Sequence, residues 1–269
     1  MGITVGVVGT GNMGSALVRG WLRSPDPQVD LLVHDIVEER AGDLGEAQGV
    51  RVAASLEDLA KLSDVMVVVV KPKDALAVLK ALRPAVGEGK TIVSSAAGIT
   101  LDSMRAALGP GPALFRIMPN LGVELGEGVL ALSPEPGTAS DATGSLALLF
   151  ACMGVVEVVP EDILDAVTAV AGSSIGFLAL ALEGMEDGAV RVGMPRATAR
   201  TFVRQTALAT ALLLQRYPGS AADLKDQVAS PGGTTIAGLA VLEDQGVRGA
   251  FVRAIEEATE RSRHLRDGK

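Results

Sequence analysis

Cysteine is almost absent: Cys152 is the only one in 269 residues. That excludes an intramolecular disulfide framework and fits a reducing compartment. Histidine is nearly as scarce, and His34 and His264 stand too far apart to suggest metal-ligand spacing, so no metal site is expected. Aromatic residues make up 3 % of the chain, and 24 lysines and arginines face 32 aspartates and glutamates, for a net charge of −8. With no clustered basic face and few rings to stack on bases, the chain is not expected to bind nucleic acid. The N-terminus shows no basic segment and no small-residue cleavage site, so no export signal is expected and a cytoplasmic location is. The longest uncharged run, Ala166 to Leu182, is shorter than the ~20 residues that cross a bilayer. It reads Gly-Ser-Ser-Ile-Gly in its middle, and the expectation is a buried helix with no membrane contact.

What the chain does contain is a large supply of core: 48 % of its residues are hydrophobic. In the first part, short apolar runs (ITVGVVG, DLLVHD, VRVAA, VMVVVV, TIVSSAA) alternate with helical patterns such as DALAVLKALR. Strands apolar on both faces, separated by helices, indicate a doubly wound α/β sheet that is mostly parallel. The runs ALFRIMPN, GVLALSP and GVVEVVP are more closely spaced and should extend the same sheet, partly antiparallel. After Pro160 strand-like runs disappear and long helical patterns take over, including Pro195 to Arg216, with Phe202, Thr206, Ala209 and Leu213 at helical spacing, and a last helix with Phe251, Ile255 and Ala258 on one face. Residues 1–160 are therefore expected to form a Rossmann-type domain and residues 161–269 an all-helical domain. A helix apolar around most of its girth needs more cover than so small a helical domain provides, which predicts a homodimer.

Gly9, Gly11 and Gly14 spell G-x-G-x-x-G after an apolar strand and before an amphipathic helix. That context gives each glycine a reason: a tight turn at Gly9, close approach of a pyrophosphate at Gly11, and close helix–strand packing at Gly14. Asn12 and Met13 belong to the same cofactor-binding turn, whose helix N-terminus offers free N–H groups to phosphate. Asp35 ends the second strand, about 20 residues beyond the last glycine, where a carboxylate can take the ribose hydroxyls. It favours NAD over NADP, while the nearby Arg40 argues the other way; a plain capping role for Asp35 is the alternative. Val70, Lys71 and Pro72 end the fourth strand and should border the cofactor, as should the small residues Ala96, Ala97 and Gly98 after the fifth.

Late in the chain SPGGTT, residues Ser230 to Thr235, precedes an apolar helical pattern. On its own it reads as a turn and a helix start. Taken together, GTGNMG, VKP, SSAAGI, RIMPN, the Gly-Ser-Ser helix, EGMEDGAVRVGMPR and DQVASPGGTTIAGLAVLEDQGVR resemble the pyrroline-5-carboxylate reductase family in order and spacing over nearly the whole chain. The resemblance implies a Rossmann domain, a helical domain for dimerisation and substrate binding, assembly as dimers or pentamers of dimers, and NAD(P)H-dependent reduction of 1-pyrroline-5-carboxylate to L-proline. It also implies that the 230–235 loop clasps the substrate carboxylate. Gly232 and Gly233 would offer backbone N–H groups, Ser230 and Thr234 further donors, with Val228, Asn120 and Ser173 alongside, and the Thr235 hydroxyl would stand near the ring nitrogen as the catalytic group.

The chain departs from the family pattern in two places. Leu121-Gly122 stand where Thr-Pro usually comes after Met-Pro-Asn, and Ile175-Gly176 where Pro-Ala usually comes after Gly-Ser. A paralogue reducing another imine, or a dinucleotide-binding dimer without catalysis, therefore stays open as an alternative. The β-hydroxyacid dehydrogenases share the fingerprint, but they use a lysine on the central helix, and Ala166 to Leu182 contains none.

Overall fold

The structure, a computed structural model, describes residues 2–24 and 29–266. By contacts the chain forms two compact units, one of Met1–Gly172 with the chain from Ala258 onward, the other of Ser173–Glu257.

The first unit is built on an eight-stranded sheet: β1 (Ile3–Val8), β2 (Val29–His34), β3 (Arg51–Val52), β4 (Val65–Val68), β5 (Thr91–Ser94), β6 (Ala113–Pro119), β7 (Gly128–Pro134) and β8 (Gly154–Val158), in the order β3-β2-β1-β4-β5-β6-β7-β8. All neighbours pair in parallel except β6 and β7, which are antiparallel with Arg116 opposite Ser133 and Met118 opposite Ala131. The doubly wound expectation and the antiparallel extension are both met. Of the VRVAA run only Arg51 and Val52 pair as a strand, at the sheet edge.

The strands are apolar throughout because both faces are covered. Val5, Val7, Val67, Phe115 and Ile117 point to a core shared with α1 (Asn12–Leu22), α2 (Glu38–Gln48) and α6 (Ser140–Phe150), where Trp21 and Phe150 stack at 5.3 Å. The alternate residues Val8, Met66, Val68, Ile92 and Leu114 pack with α3 (Leu56–Leu62), α4 (Pro72–Leu82) and α5 (Leu101–Leu108). The period-two alternation of a strand thus divides one apolar sequence between two cores.

After β8 the chain turns helical through Glu161–Ile163 and α7 (Leu164–Val167), then a π-helical turn, Thr168–Ser173. The second unit comes next, with α8 (Ser174–Arg191), α9 (Arg196–Arg216), α10 (Ala221–Gln227) and α11 (Thr234–Asp244). Helix α12 (Val247–Arg266) starts in the second unit and ends in the first. Residues 161–172 group with the first unit, where polar bonds hold them: Arg116 of β6 to Glu161 at 3.0 Å, Asn120 just after β6 to the Ala171 carbonyl at 3.2 Å, and Ser262 of α12 to Asp165 at 2.7 Å.

The expected buried helix, Ala166 to Leu182, is buried only in its first part within one chain, at Ala169 and Ala171. No residue of α8 is buried, Leu178 and Leu180 are exposed, and on α9 Phe202 is 62 % exposed. The continuous helical stretch Glu161–Arg191, 31 residues, is by length and composition long and apolar enough to cross a membrane. It exceeds the uncharged run because charged residues flank that run within the same helical stretch.

Candidate functional site

The strand order reverses between β1 and β4, so the crossovers on either side lead away from each other and leave a crevice at the strand carboxyl ends. The glycine turn after β1 and residues 69–71 after β4 meet there. Two adjoining cavities of about 890 and 550 Å³ share Gly11, Arg40, Val69, Val70 and Lys71 as walls. That volume is in the range of small-molecule clefts.

The three glycines are required for different reasons. Gly9 has φ +98°, a left-handed conformation, and a Cβ there would lie 2.6 Å from the Val69 carbonyl oxygen. A Cβ on Gly14 would lie 1.9 Å from the Gly9 carbonyl oxygen, so helix α1 can approach the turn only without a side chain. A Cβ on Gly11 would meet nothing within 4 Å and would project into the cleft instead. Gly11 is also the N-cap of α1, and no side chain caps that first turn. Bare amides, a helix dipole and space kept free by a missing side chain suit a diphosphate, so the residues fit a dinucleotide.

Asp35 is buried, lines the smaller cavity and braces the turn. Its Oδ2 accepts the Thr10 N–H at 2.7 Å and the Thr10 hydroxyl at 3.1 Å; its Oδ1 accepts the Val37 N–H at 2.9 Å, just ahead of α2. Burial pushes the Asp35 carboxyl up, but the hydrogen bonds from Val37 and Thr10 and the charge of Arg40 outweigh it and hold the carboxyl below its ordinary range. The helix-capping reading of Asp35 is not met, because Val37 is the N-cap of α2 and no side chain caps that helix; Asp35 instead braces the chain on either side of the cavity that it lines.

Of the residues expected at the cofactor, Gly9, Gly11, Asn12, Met13, Asp35, Val70 and Lys71 line these cavities. Gly14 lies beneath the turn, and Pro72 is the first residue of α4, with Lys71 as its N-cap. Ala96, Ala97 and Gly98 come after β5; Gly98 has φ +77° and the Ile99 N–H closes the turn onto Ala96. Ser95, one residue earlier, lines the larger cavity instead. Sequence reasoning missed Thr10, which ties the turn to Asp35, and Met118 and Pro119 at the end of β6, which also wall the larger cavity. The Met-Pro-Asn motif was the signal for the latter pair.

In the second unit, Ser230 to Gly233 form a turn in which Gly232 takes φ +67° after Pro231, and the Gly233 N–H donates to the Ser230 carbonyl at 3.0 Å. That corrects the expectation that Gly233 offers its own N–H to a ligand: the turn consumes it. A Cβ at Gly233 would meet the Ser230 hydroxyl at 2.3 Å, which that side chain can relieve by rotating, and the Ser230 carbonyl oxygen at 3.1 Å. Gly233 is the N-cap of α11 and no side chain caps that helix, so among the described residues the hydroxyls of Ser230, Thr234 and Thr235 are not spent on capping it. Val228 caps the preceding helix α10 and is exposed. Ser173 closes the π turn.

Asn120 is held inside the first unit. Its Oδ1 accepts from the Gly122 and Val129 N–H groups at 3.1 and 3.3 Å, while its Nδ2 donates to the Ala171 carbonyl at 3.2 Å. Leu121 and Gly122 open a short 3-10 turn, Leu121–Leu125, and a Cβ at Gly122 would lie 2.8 Å from the Glu127 carbonyl oxygen. Leu121-Gly122, the departure from the family pattern, thus stand in the tight reversal between β6 and β7. Among the described residues no group of three or more His, Cys, Asp or Glu side chains is placed to hold a metal ion.

The chain is similar to known proteins along both of its parts. The family described as pyrroline-5-carboxylate reductase dimerisation matches residues 161–265, and the family described as NADP oxidoreductase, coenzyme F420-dependent, matches residues 4–98. A pyrroline-5-carboxylate reductase of Methanosarcina acetivorans is 34 % identical over 263 residues, and that of Escherichia coli 32 % identical over 276; each alignment covers 97 % of both chains. Among solved structures, a Plasmodium falciparum pyrroline carboxylate reductase with NADP bound superposes with a TM-score of 0.88 at 25 % identity, over 98 % of each chain. The 1-pyrroline-5-carboxylate reductase of Streptococcus pyogenes superposes with a TM-score of 0.87 at 30 % identity, over 97 % of this chain and 98 % of that one.

Proposed function

Because the chain belongs to the pyrroline-5-carboxylate reductase family, we propose that it reduces the C=N bond of 1-pyrroline-5-carboxylate to give L-proline, using NADH or NADPH. The observation that carries this reading is an identity of 32–34 % to reductases of that name along 97 % of both chains.

When bound, the reduced nicotinamide supplies a hydride for the imine carbon; the chain must supply orientation, exclusion of water and a proton held at the ring nitrogen. The Gly9–Gly14 turn and the N-terminus of α1 would hold the diphosphate, Asp35 and Arg40 the adenosine ribose, and Val70, Lys71, Pro72, Ala96, Ala97 and Gly98 the walls toward the ring. The turn at Ser230–Gly233, with Val228, Thr234 and Ser173, would take the substrate carboxylate through the remaining donors and the α11 dipole. Thr235 is the catalytic residue in this reading: its hydroxyl donates to or relays a proton at the ring nitrogen, and no cap on α11 competes for it.

Residues 161–269 would act as the dimerisation and substrate-binding domain. A homodimer formed through them, assembly of dimers into a decamer, and a cytoplasmic location without membrane contact complete the proposal. The exposed apolar surface of α8 and α9 supports the dimer, since a partner helix covers such a face as well as lipid does.

Steady-state oxidation of each reduced cofactor in the presence of 1-pyrroline-5-carboxylate tests the reading. Wild type should turn over, and Thr235→Ala should lower kcat about a hundredfold with an unchanged fold, in the range of a lost general-acid contribution. Cofactor binding without turnover on any cyclic imine would replace the enzyme by a non-catalytic dinucleotide-binding dimer, and turnover confined to another imine would replace the substrate.

A further inference from the structure

Asn120 comes directly after Met118 and Pro119, which wall the larger cavity at the end of β6. Its amide does two separable things. The oxygen collects the N–H groups of Gly122 and Val129 and so shapes the reversal into β7; the nitrogen reaches across 51 positions of sequence to the Ala171 carbonyl. Ala171 lies inside the π turn Thr168–Ser173 and is itself buried.

A π turn carries one residue more than the α-helix around it, occurs mostly as a single turn, and is frequent at functional sites. Relaxation of such a turn to α-helix would change by about 100° the face of the helix on which the residue that follows it stands. Gly172 and Ser173 come directly after the clamped residue, so the face on which Ser173 stands depends on the turn staying π-helical. A donor from outside the helix, held by a strand end, is a means of keeping it so.

We propose that Asn120, expected from the resemblance to stand beside the substrate, is instead a positioning residue for the reduction, fixing the π turn through Ala171 and thereby the orientation of Ser173, and touching neither cofactor nor substrate itself. The proposal rests on the reductase reading for its kinetic consequence alone; its structural consequence is independent of it.

Asn120→Asp separates the two roles, because a carboxylate still accepts from Gly122 and Val129 but cannot donate to Ala171. Amide hydrogen exchange on the full chain should be about fivefold faster or more at residues 168–175, as expected for one lost hydrogen bond, and unchanged at 121–129. With 1-pyrroline-5-carboxylate, kcat should fall about tenfold, the scale of a small misplacement of reacting groups. The Kd for NADPH, read by fluorescence, should stay within about twofold, as a remote positioning role requires. Asn120→Ala, which loses both ends, should loosen both segments and gives a second reading if N120D folds poorly.

Unchanged exchange at 168–175 in both variants would overturn the clamp. Unchanged kcat, or a loss of NADPH affinity that parallels the loss of kcat, would overturn its positioning role. If wild type bound NADPH but reduced no imine, the reductase reading would fall while the exchange comparison still decided the clamp.

Discussion

Two glycines three positions apart in the fingerprint should respond in opposite ways to the same methyl group. Gly11→Ala adds a Cβ that meets no protein atom, so its cost to stability should stay under about 1 kcal/mol, the scale of a poorer N-cap. NADPH affinity should drop tenfold or more. Gly14→Ala forces a Cβ against the Gly9 carbonyl oxygen and should unfold or strongly destabilise the protein before binding can be measured. Thermal unfolding with and without NADPH distinguishes the two, and equal loss of stability would contradict the assignment of Gly11 to the ligand. Asp35 makes a pH-dependent prediction. Its folded-state pKa lies below the unfolded value, so its contribution is complete above the ordinary carboxylate value of about 4 and is lost as pH falls below it. In urea unfolding, Asp35→Asn should cost about 1–2 kcal/mol at pH 7, and that difference should shrink toward pH 3; a constant difference would mean that the charge is not what matters. The glycine roles were legible in the sequence because steric need arises from the motif and its flanking elements. The engagement of the Gly233 N–H and of the Asn120 amide was not, since both depend on distances that only the folded turn sets.

At the scale of elements, the sequence announced the sheet well. Uniformly apolar strands implied helices on both faces, and the close spacing of β6, β7 and β8 implied an antiparallel departure, which the β6–β7 pair makes. The end of the sheet's contact unit was harder to see, because residues 161–172 are helical, as is the chain beyond them, yet are tied to β6 and to the end of α12 by polar bonds between residues far apart in the chain. No sequence periodicity encodes such bonds, nor the π turn, which differs from α-helix by one residue. The Glu161 carboxylate is the principal bond: one oxygen takes both the buried Arg116 guanidinium and the first N–H of α5, at Leu101. Glu161→Ala should cost about 2–3 kcal/mol, since it leaves a buried charge without its partner, tempered by the partial exposure of the carboxylate. The double variant with Arg116→Met should recover part of that loss in the same urea titration; strict additivity would show that the pair is not coupled.

For the whole molecule, the expectation of a helix too apolar for one chain to cover was sound in its premise and incomplete in its picture. The part of that helix in α8 has no buried residue in the single chain, and apolar residues of α9 and α11 are exposed as well. Leu180, 70 % exposed on α8, is a direct probe: Leu180→Glu should convert the proposed dimer to monomer in light scattering at micromolar concentration, and a monomeric wild type would refute assembly through this domain. What the assembly is for rests on the chemistry. The most direct test is a single turnover with NADPH deuterated at the transferred position of C4, enzyme in excess, and the product identified by mass and NMR. One deuterium at the former imine carbon of L-proline, in proportion to NADPH consumed, is the predicted result. Tight binding of NADPH with the imine left intact would contradict the account.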